Sequence, residues 1–157
     1  MILVSHMIVG AAIGSRIHNL WLLFFISIAL HYAFDALPHW EYHLRFQGSN
    51  PPKKKLIAFA AKIIIDLLTG VILVFFLAKN SPDRSFMLLA ALFSLLPDGL
   101  TFLYIALKKV FGYDDKILKK LFHFHHTVHI SKNKNSPVWG TAIELLIIIF
   151  SLFVLLR

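Results

Sequence analysis

The sequence predicts an all-α fold, a polytopic membrane helix bundle of about five transmembrane helices plus an interfacial amphipathic helix. Residues 1–157 are taken as a single membrane domain. Three observations carry this expectation. The chain is 58% hydrophobic and only 15% charged, which no ordinary soluble domain of this length matches. Its mean hydropathy is +0.73. The windows Leu20–Leu37, Leu56–Leu77, Phe86–Leu107 and Val138–Leu156 approach or exceed the ~20 apolar residues that cross a hydrocarbon core as a helix.

Ile2–Ile17 is shorter and contains His6 and Arg16, but Gly10 and Gly14 form a GxxxG that lets it approach a neighbour closely. It is counted as the fifth span. Leu20–Leu37 and Leu56–Leu77 follow, joined by a segment around Gly48–Pro52 that reads as a loop. Lys79–Arg84 is a tight connection into Phe86–Leu107, where Leu95-Leu96-Pro97-Asp98-Gly99 interrupts the apolar run. Asp114 or Asp115 can then cap a helix whose apolar positions Ile117, Leu121, Phe124 and Val128 follow i, i+4, i+7, i+11. Lys116, Lys119 and Lys120 occupy its other face, as in a helix lying against anionic headgroups. Ser131–Pro137 is a polar linker before the last span.

The formal charge of +8 does not point to nucleic acid, because the basic residues lie almost entirely between apolar segments, where they set topology. With five spans one side receives Arg45, Lys53, Lys54, Lys55, Lys62, Lys108, Lys109, Lys116, Lys119, Lys120, Lys132 and Lys134. The other receives Arg16, Lys79, Arg84 and Arg157. The expectation is a multi-pass protein of the inner (cytoplasmic) membrane with a cytoplasmic N-terminus, and a homo-oligomer is compatible with it. No cleavable signal peptide is evident, since the first apolar stretch lacks a basic n-region and a small-residue cleavage site. Cysteine is absent, so His, Asp and Glu are left as metal ligands.

Those residues concentrate in four places. In HYAFDALPHWEYH, His31, Asp35, His39 and His43 recur every four residues, and His31 and Asp35 share a helical face. Pro38 biases the chain out of the helix there, leaving His39 and His43 on an interfacial turn as ligands, as supports for ligands, or as ordinary headgroup-level residues. Asp66 lies inside the third span and either pairs with Lys62 one turn earlier or faces a metal. Asp98 stands at a proline break, which at membrane depth lines a cavity or is buried in protein. In HFHHTVH, His125 and His129 are i, i+4 neighbours and His126 and His129 are i, i+3 neighbours, while His123 aligns with the lysine face. Under the charge-derived topology His6, His31 to His43, Asp66 and the last His cluster fall in the cytoplasmic half, with Asp98 near the midplane.

These motifs resemble the membrane-bound metal-dependent hydrolase family, through His6 in SHMIVG, Asp98 in LLPDG, and His126 with His129 in HHTVHIS. That resemblance implies a hydrolase of a membrane-associated substrate. The family's Pro-Asp step continues to a second acid and a His, whereas this chain has Gly99, Leu100 and Thr101, and the Arg and Gly of its His-rich run are missing. Either HYAFDALPH supplies the missing ligands or hydrolytic competence has been lost.

The expected cofactor is a divalent metal, Zn or Mn, since the donor set is rich in imidazole. The expected ligands are His6, His31, Asp35, His39, Asp98, His126 and His129, and Asp98, His126 and Asp66 are the expected catalytic residues. The substrate class is a phosphoester or ester of a lipid or membrane-associated molecule. Two rival classes stay open: a metal- or haem-binding protein or transporter, and a scaffold whose His clusters tune interfacial binding.

Overall fold

The structure is a computed structural model that describes residues 1–39, 53–128 and 137–157. Its described residues form helices α1 (Leu3–Gly14), α2 (Leu20–Asp35), α3 (Lys53–Ala78), α4 (Arg84–Ser94), α5 (Leu96–Phe111), α6 (Lys116–Val128) and α7 (Pro137–Leu156), and no strand. The all-α expectation holds, but the number of spans does not.

Among the described residues, only Ile57–Ala78 and Val138–Leu156 are helices long and apolar enough to cross a membrane. Arg84–Ser94 and Leu96–Lys109 qualify as a third only when taken together as one span bent by 42°. The expected five therefore becomes two or three. Apolar windows measure composition, while a span also needs unbroken length. α1 has 12 residues and α2 has 16, which at helical rise give about 18 and 24 Å against a core of about 30 Å. The charge count that oriented the chain alternated sides through five spans, so its orientation does not carry over.

α1 is short because it lies inside the protein. Ten of its twelve residues are buried, and it packs against α2, α3, α4 and α7. Met7 and Ala11 of α1 join Val74 and Ala78 of α3 and Met87 and Ala91 of α4 in one apolar cluster. The expected close approach through the GxxxG motif is present: a Cβ on Gly10 would stand 2.7 Å from the Ala91 Cα, and one on Gly14 would overlap the Phe86 carbonyl. α3 and α7 expose Ile64, Ile65, Leu68, Ile72, Phe76, Leu146, Ile149, Phe150 and Phe153, an apolar exterior suited to lipid.

The start of α1 has no side-chain cap of its own. Its amides are met instead by acids from two neighbouring helices. Asp66 of α3 accepts from Leu3 N at 2.6 Å and from Val4 N at 3.3 Å. Glu144 of α7 accepts from Ile2 N at 3.2 Å and from the Ser5 hydroxyl at 2.7 Å. Such amides have no partner within their own helix, so these acids satisfy them inside the bundle and fix the depth of His6.

The fourth expected span breaks where Pro97 removes a backbone donor, and α5 restarts at Leu96 with Asp98 in its first turn. α5 ends on Gly112, at φ 66°, a left-handed cap that favours glycine. Asp115 then caps α6 by accepting from Ile117 N and Leu118 N at 2.9 and 2.8 Å. α5 and α6 form a packed helical hairpin.

Candidate metal centre

Four side chains from three helices converge: His31 and Asp35 of α2, Asp98 of α5 and His125 of α6. Each offers one ligand atom, and these atoms all lie within 4.8 Å of one another. His31, Asp35 and His125 are buried, while the Asp98 side chain is 27% exposed. Asp98 is thus the member that marks the centre's open side.

His31 and Asp35 share a face because they are one helical turn apart, and His31 Nε2 lies 3.0 Å from Asp35 Oδ2. His125 Nε2 approaches the same oxygen at 3.1 Å and Asp98 Oδ1 at 3.6 Å. Around a tetrahedral ion with bonds of 2.0–2.1 Å, neighbouring ligand atoms stand about 3.3 Å apart. The observed separations bracket that spacing, so the side chains fit a cation.

Hydrogen bonding points the same way. His31 Nδ1 meets the Ser94 carbonyl at 2.7 Å. A carbonyl only accepts, so the Nδ1 proton is donated to it and, in the neutral ring, the lone pair falls on Nε2. That Nε2 is buried without a hydrogen bond, and so is Asp98 Oδ2. Two buried, unsatisfied lone-pair atoms beside a shared carboxylate are costly unless something positive lies between them. Ser94 stands at the end of α4, where the helix breaks. The Leu-Leu-Pro-Asp step therefore both supplies Asp98 and leaves a carbonyl for His31.

Around the ligands lies a further layer. Asp35 Oδ1, the oxygen turned away from the centre, receives His6 Nε2 at 3.1 Å and the Met1 α-amino nitrogen at 2.7 Å. The His6 ring stacks on His31 with centroids 4.0 Å apart. Ser94 Oγ donates to the His6 carbonyl at 2.8 Å, which ties α1 to the break. Thr101 Oγ1 lies 2.9 Å from His125 Nδ1. Half-buried Tyr32 packs edge-on to His31, Phe124 and His125.

Of the residues expected from sequence, the structure brings His31, Asp35 and Asp98 together and sets His6 beside them. Asp66 is not in the group; its oxygens meet the α1 amides. His39 is also outside it, with Nδ1 2.7 Å from the Leu37 carbonyl. His126 is exposed on α6 and stacks near Phe122 at 5.9 Å. His43 and His129 lie outside the described residues. The histidine that α6 contributes is His125.

Helical phase decides that outcome. Leu118, Phe122 and His125, at i, i+4 and i+7, form the face of α6 that packs inward, while Ile117, Leu121 and Phe124 are exposed. α6 has two apolar stripes, and only one carries a histidine in its next turn. Following both stripes would have found His125; Ser94, Thr101 and Tyr32 carry no sequence signal of their own.

No family model, curated protein or solved structure matches this chain.

Proposed function

We propose that this chain is a membrane-embedded metal-dependent hydrolase, with a divalent cation held by His31, Asp35, Asp98 and His125. The observation that carries the reading is a four-residue group whose ligand atoms lie within 4.8 Å of one another, in which His31 Nε2 stands 3.0 Å from Asp35 and, like Asp98 Oδ2, is buried without a hydrogen bond. Two imidazoles and two carboxylates suit Zn or Mn. Bound there, such a cation supplies Lewis acidity toward a phosphoryl or ester oxygen and acidifies a coordinated water.

The chain's own groups have distinct tasks in this reading. Asp35 and the two histidines fix the cation from the buried side. Asp98, the partly exposed member, marks the open side of the centre, where its carboxylate can take a proton from water. His6 orients Asp35 through its outer oxygen, as groups behind metal ligands commonly do. Asp66 and His126, expected from sequence to be catalytic, have no part in it.

A lipid phosphoester or ester is the substrate class that fits the surroundings. Exposed Ile117, Leu121 and Phe124 form a stripe on α6 beside exposed Lys116 and Lys120, a pattern suited to the boundary between acyl chains and anionic headgroups. The resemblance of SHMIVG, LLPDG and HHTVHIS to membrane-bound metal-dependent hydrolases supports the same class. With α4 and α5 counted as one bent span, Lys53, Lys54 and Lys55 fall on the same side as Lys108, Lys109, Lys116, Lys119 and Lys120, and we place the open side of the centre at that face, the cytoplasmic face of the inner membrane. Because the chain lacks cysteine, single cysteines at Ser81 and Lys116 test this cleanly, and only the one at Lys116 should be shielded from an outside thiol reagent in intact cells.

The activity test uses the full chain in detergent. Elemental analysis should find about one equivalent of Zn or Mn. The loaded protein should release product from vesicles of an anionic phospholipid, and an Asp98→Asn variant should not. Protein that holds stoichiometric metal yet cleaves neither phosphoester nor ester lipids would leave a metal-binding or transport role in its place.

A further inference from the structure

The two imidazoles facing Asp35 are anchored by oxygens of different kinds. His31 Nδ1 meets a main-chain carbonyl, that of Ser94, at 2.7 Å. Such an oxygen has no proton to give. Neutral His31 therefore always presents its Nε2 lone pair to the centre.

His125 Nδ1 instead meets a hydroxyl, Thr101 Oγ1, at 2.9 Å. A hydroxyl donates or accepts according to its rotation. On the other side of the ring, His125 Nε2 is hydrogen-bonded to Asp35 Oδ2 at 3.1 Å. An ionised carboxylate only accepts, so Nε2 carries the proton in this arrangement. Nδ1 of the neutral ring is then the acceptor, and Thr101 must be the donor. Binding of a cation by Nε2 demands the reverse, with the proton on Nδ1 and an acceptor opposite it.

We infer that Thr101 is the tautomer switch of the centre: its hydroxyl donates to His125 Nδ1 when Nε2–H is bonded to Asp35, and accepts from Nδ1–H when Nε2 holds the cation. The inference rests on the metal reading of the four-residue group. The exchange balances. One proton leaves Nε2, one arrives on Nδ1 through water, and the ring is neutral in both states. The Thr101 hydroxyl keeps its own proton and turns it away from the ring, which is feasible because Thr101 is only half-buried. Thr101 stands three residues after Asp98, so α5 presents the ligand and the switch on one face. Thr101 is a positioning residue. It acts on the metal through His125 and touches no substrate.

The division of labour has a use. With His31 fixed in the ligating tautomer and His125 adjustable, Asp35 keeps a hydrogen-bonded partner in the metal-free protein. Asp35 Oδ2, the oxygen that the Met1 α-amino group does not meet, is then not left without a donor, a condition that costs stability inside a protein. On metal entry only one ring changes state.

The test combines nitrogen NMR of the full chain, labelled at histidine and held in detergent, with Zn²⁺ titration. In metal-free protein the His125 signals should report a proton on Nε2 and an acceptor at Nδ1. Saturation with Zn²⁺ should reverse this, while the His31 signals keep the Nδ1–H tautomer throughout. Thr101→Val should weaken Zn²⁺ binding by about 10–100-fold, the range typical of partners behind a ligand, and Thr101→Ser should restore it to within about threefold. A valine variant that folds and binds Zn²⁺ as tightly as the native chain overturns the inference. So does metal-free His125 that already carries its proton on Nδ1, a result that needs no variant. If the native chain binds no Zn²⁺, the metal reading falls and the switch falls with it. If native binding is tight and lost in His31→Ala but untouched in Thr101→Val, only the switch falls.

Discussion

Two pairs of acids lie within this bundle, and they meet different sets of partners. Asp66 and Glu144 reach across from α3 and α7 to the start of α1, where they accept four hydrogen bonds, three from amides and one from the Ser5 hydroxyl. Asp35 and Asp98 face imidazole nitrogens, and there His31 Nε2 stands 3.0 Å from Asp35 Oδ2 without a hydrogen bond between them. The first pair resembles a helix cap assembled from outside the helix. The second combines donors to Asp35, the Met1 α-amino group and His125 Nε2, with two buried atoms that have no hydrogen bond, His31 Nε2 and Asp98 Oδ2. Burial alone does not separate the two, since Asp35, Asp66 and Glu144 are all buried; what separates them is that beside Asp35 two buried atoms, His31 Nε2 and Asp98 Oδ2, are left without a hydrogen bond.

The sharpest way to break this comparison is to neutralise one acid of each pair. Asp35→Asn replaces an oxygen of the centre by an amide group that donates, opposite the His31 lone pair. Affinity for Zn²⁺, followed by isothermal titration, should fall more than ~100-fold, beyond the loss usual for a residue behind the ligands. Preserved affinity in a folded Asp35→Asn chain would make the group an ordinary polar cluster.

The second effect is on stability. Asp66→Ala should leave Zn²⁺ stoichiometry unchanged and lower the unfolding free energy, because the Leu3 and Val4 amides lose their acceptor at about 1–3 kcal/mol for each buried donor left unsatisfied. Thermal unfolding in detergent, with metal removed, measures this directly. Metal loss that exceeds the loss of folded protein would return Asp66 to the centre and erase the distinction between the pairs.

How much of this was legible beforehand differs between the two regions. Spacing alone placed His31 and Asp35 on one face, and proline chemistry marked the break at Asp98, because both follow from local geometry. The GxxxG approach of α1 was legible for the same reason. Asp66 was seen as an acid needing a partner, but that partner is a pair of backbone amides, and amides have no signature in a sequence. His126 was preferred to His125 on the resemblance of HHTVHIS, where spacing alone left both open, and without asking which stripe of α6 packs inward. That phase is set by α5, through Tyr104 against Phe122 at 5.1 Å and Thr101 against His125. The excess of expected spans has a related origin in α1, since an apolar helix enclosed by other helices and one enclosed by lipid are alike in composition, whereas α2 falls short by length, at 16 residues.

Asp114, outside the described spans, extends the comparison to an acid in contact with solvent and has the smallest expected effect. It accepts from the Tyr104 hydroxyl at 2.8 Å and from Lys119 Nζ at 3.0 Å, and so ties α5 to α6. The Tyr104 hydrogen bond foremost, then Lys119, lowers its pKa from 3.8 to about 2. A carboxylate whose pKa is depressed by folding favours the folded state above its unfolded pKa and loses that contribution as the pH falls through the folded value. The native chain should therefore melt slightly higher than Asp114→Asn at neutral pH, with the gap closing between about pH 4 and 2 and narrowing in high salt. Because the tie lies at the far end of the α5–α6 hairpin from Thr101 and His125, Zn²⁺ affinity should not follow it. A salt-dependent fall in Zn²⁺ affinity in Asp114→Asn would mean that the hairpin's solvent end sets the phase of α6, and with it which histidine enters the centre.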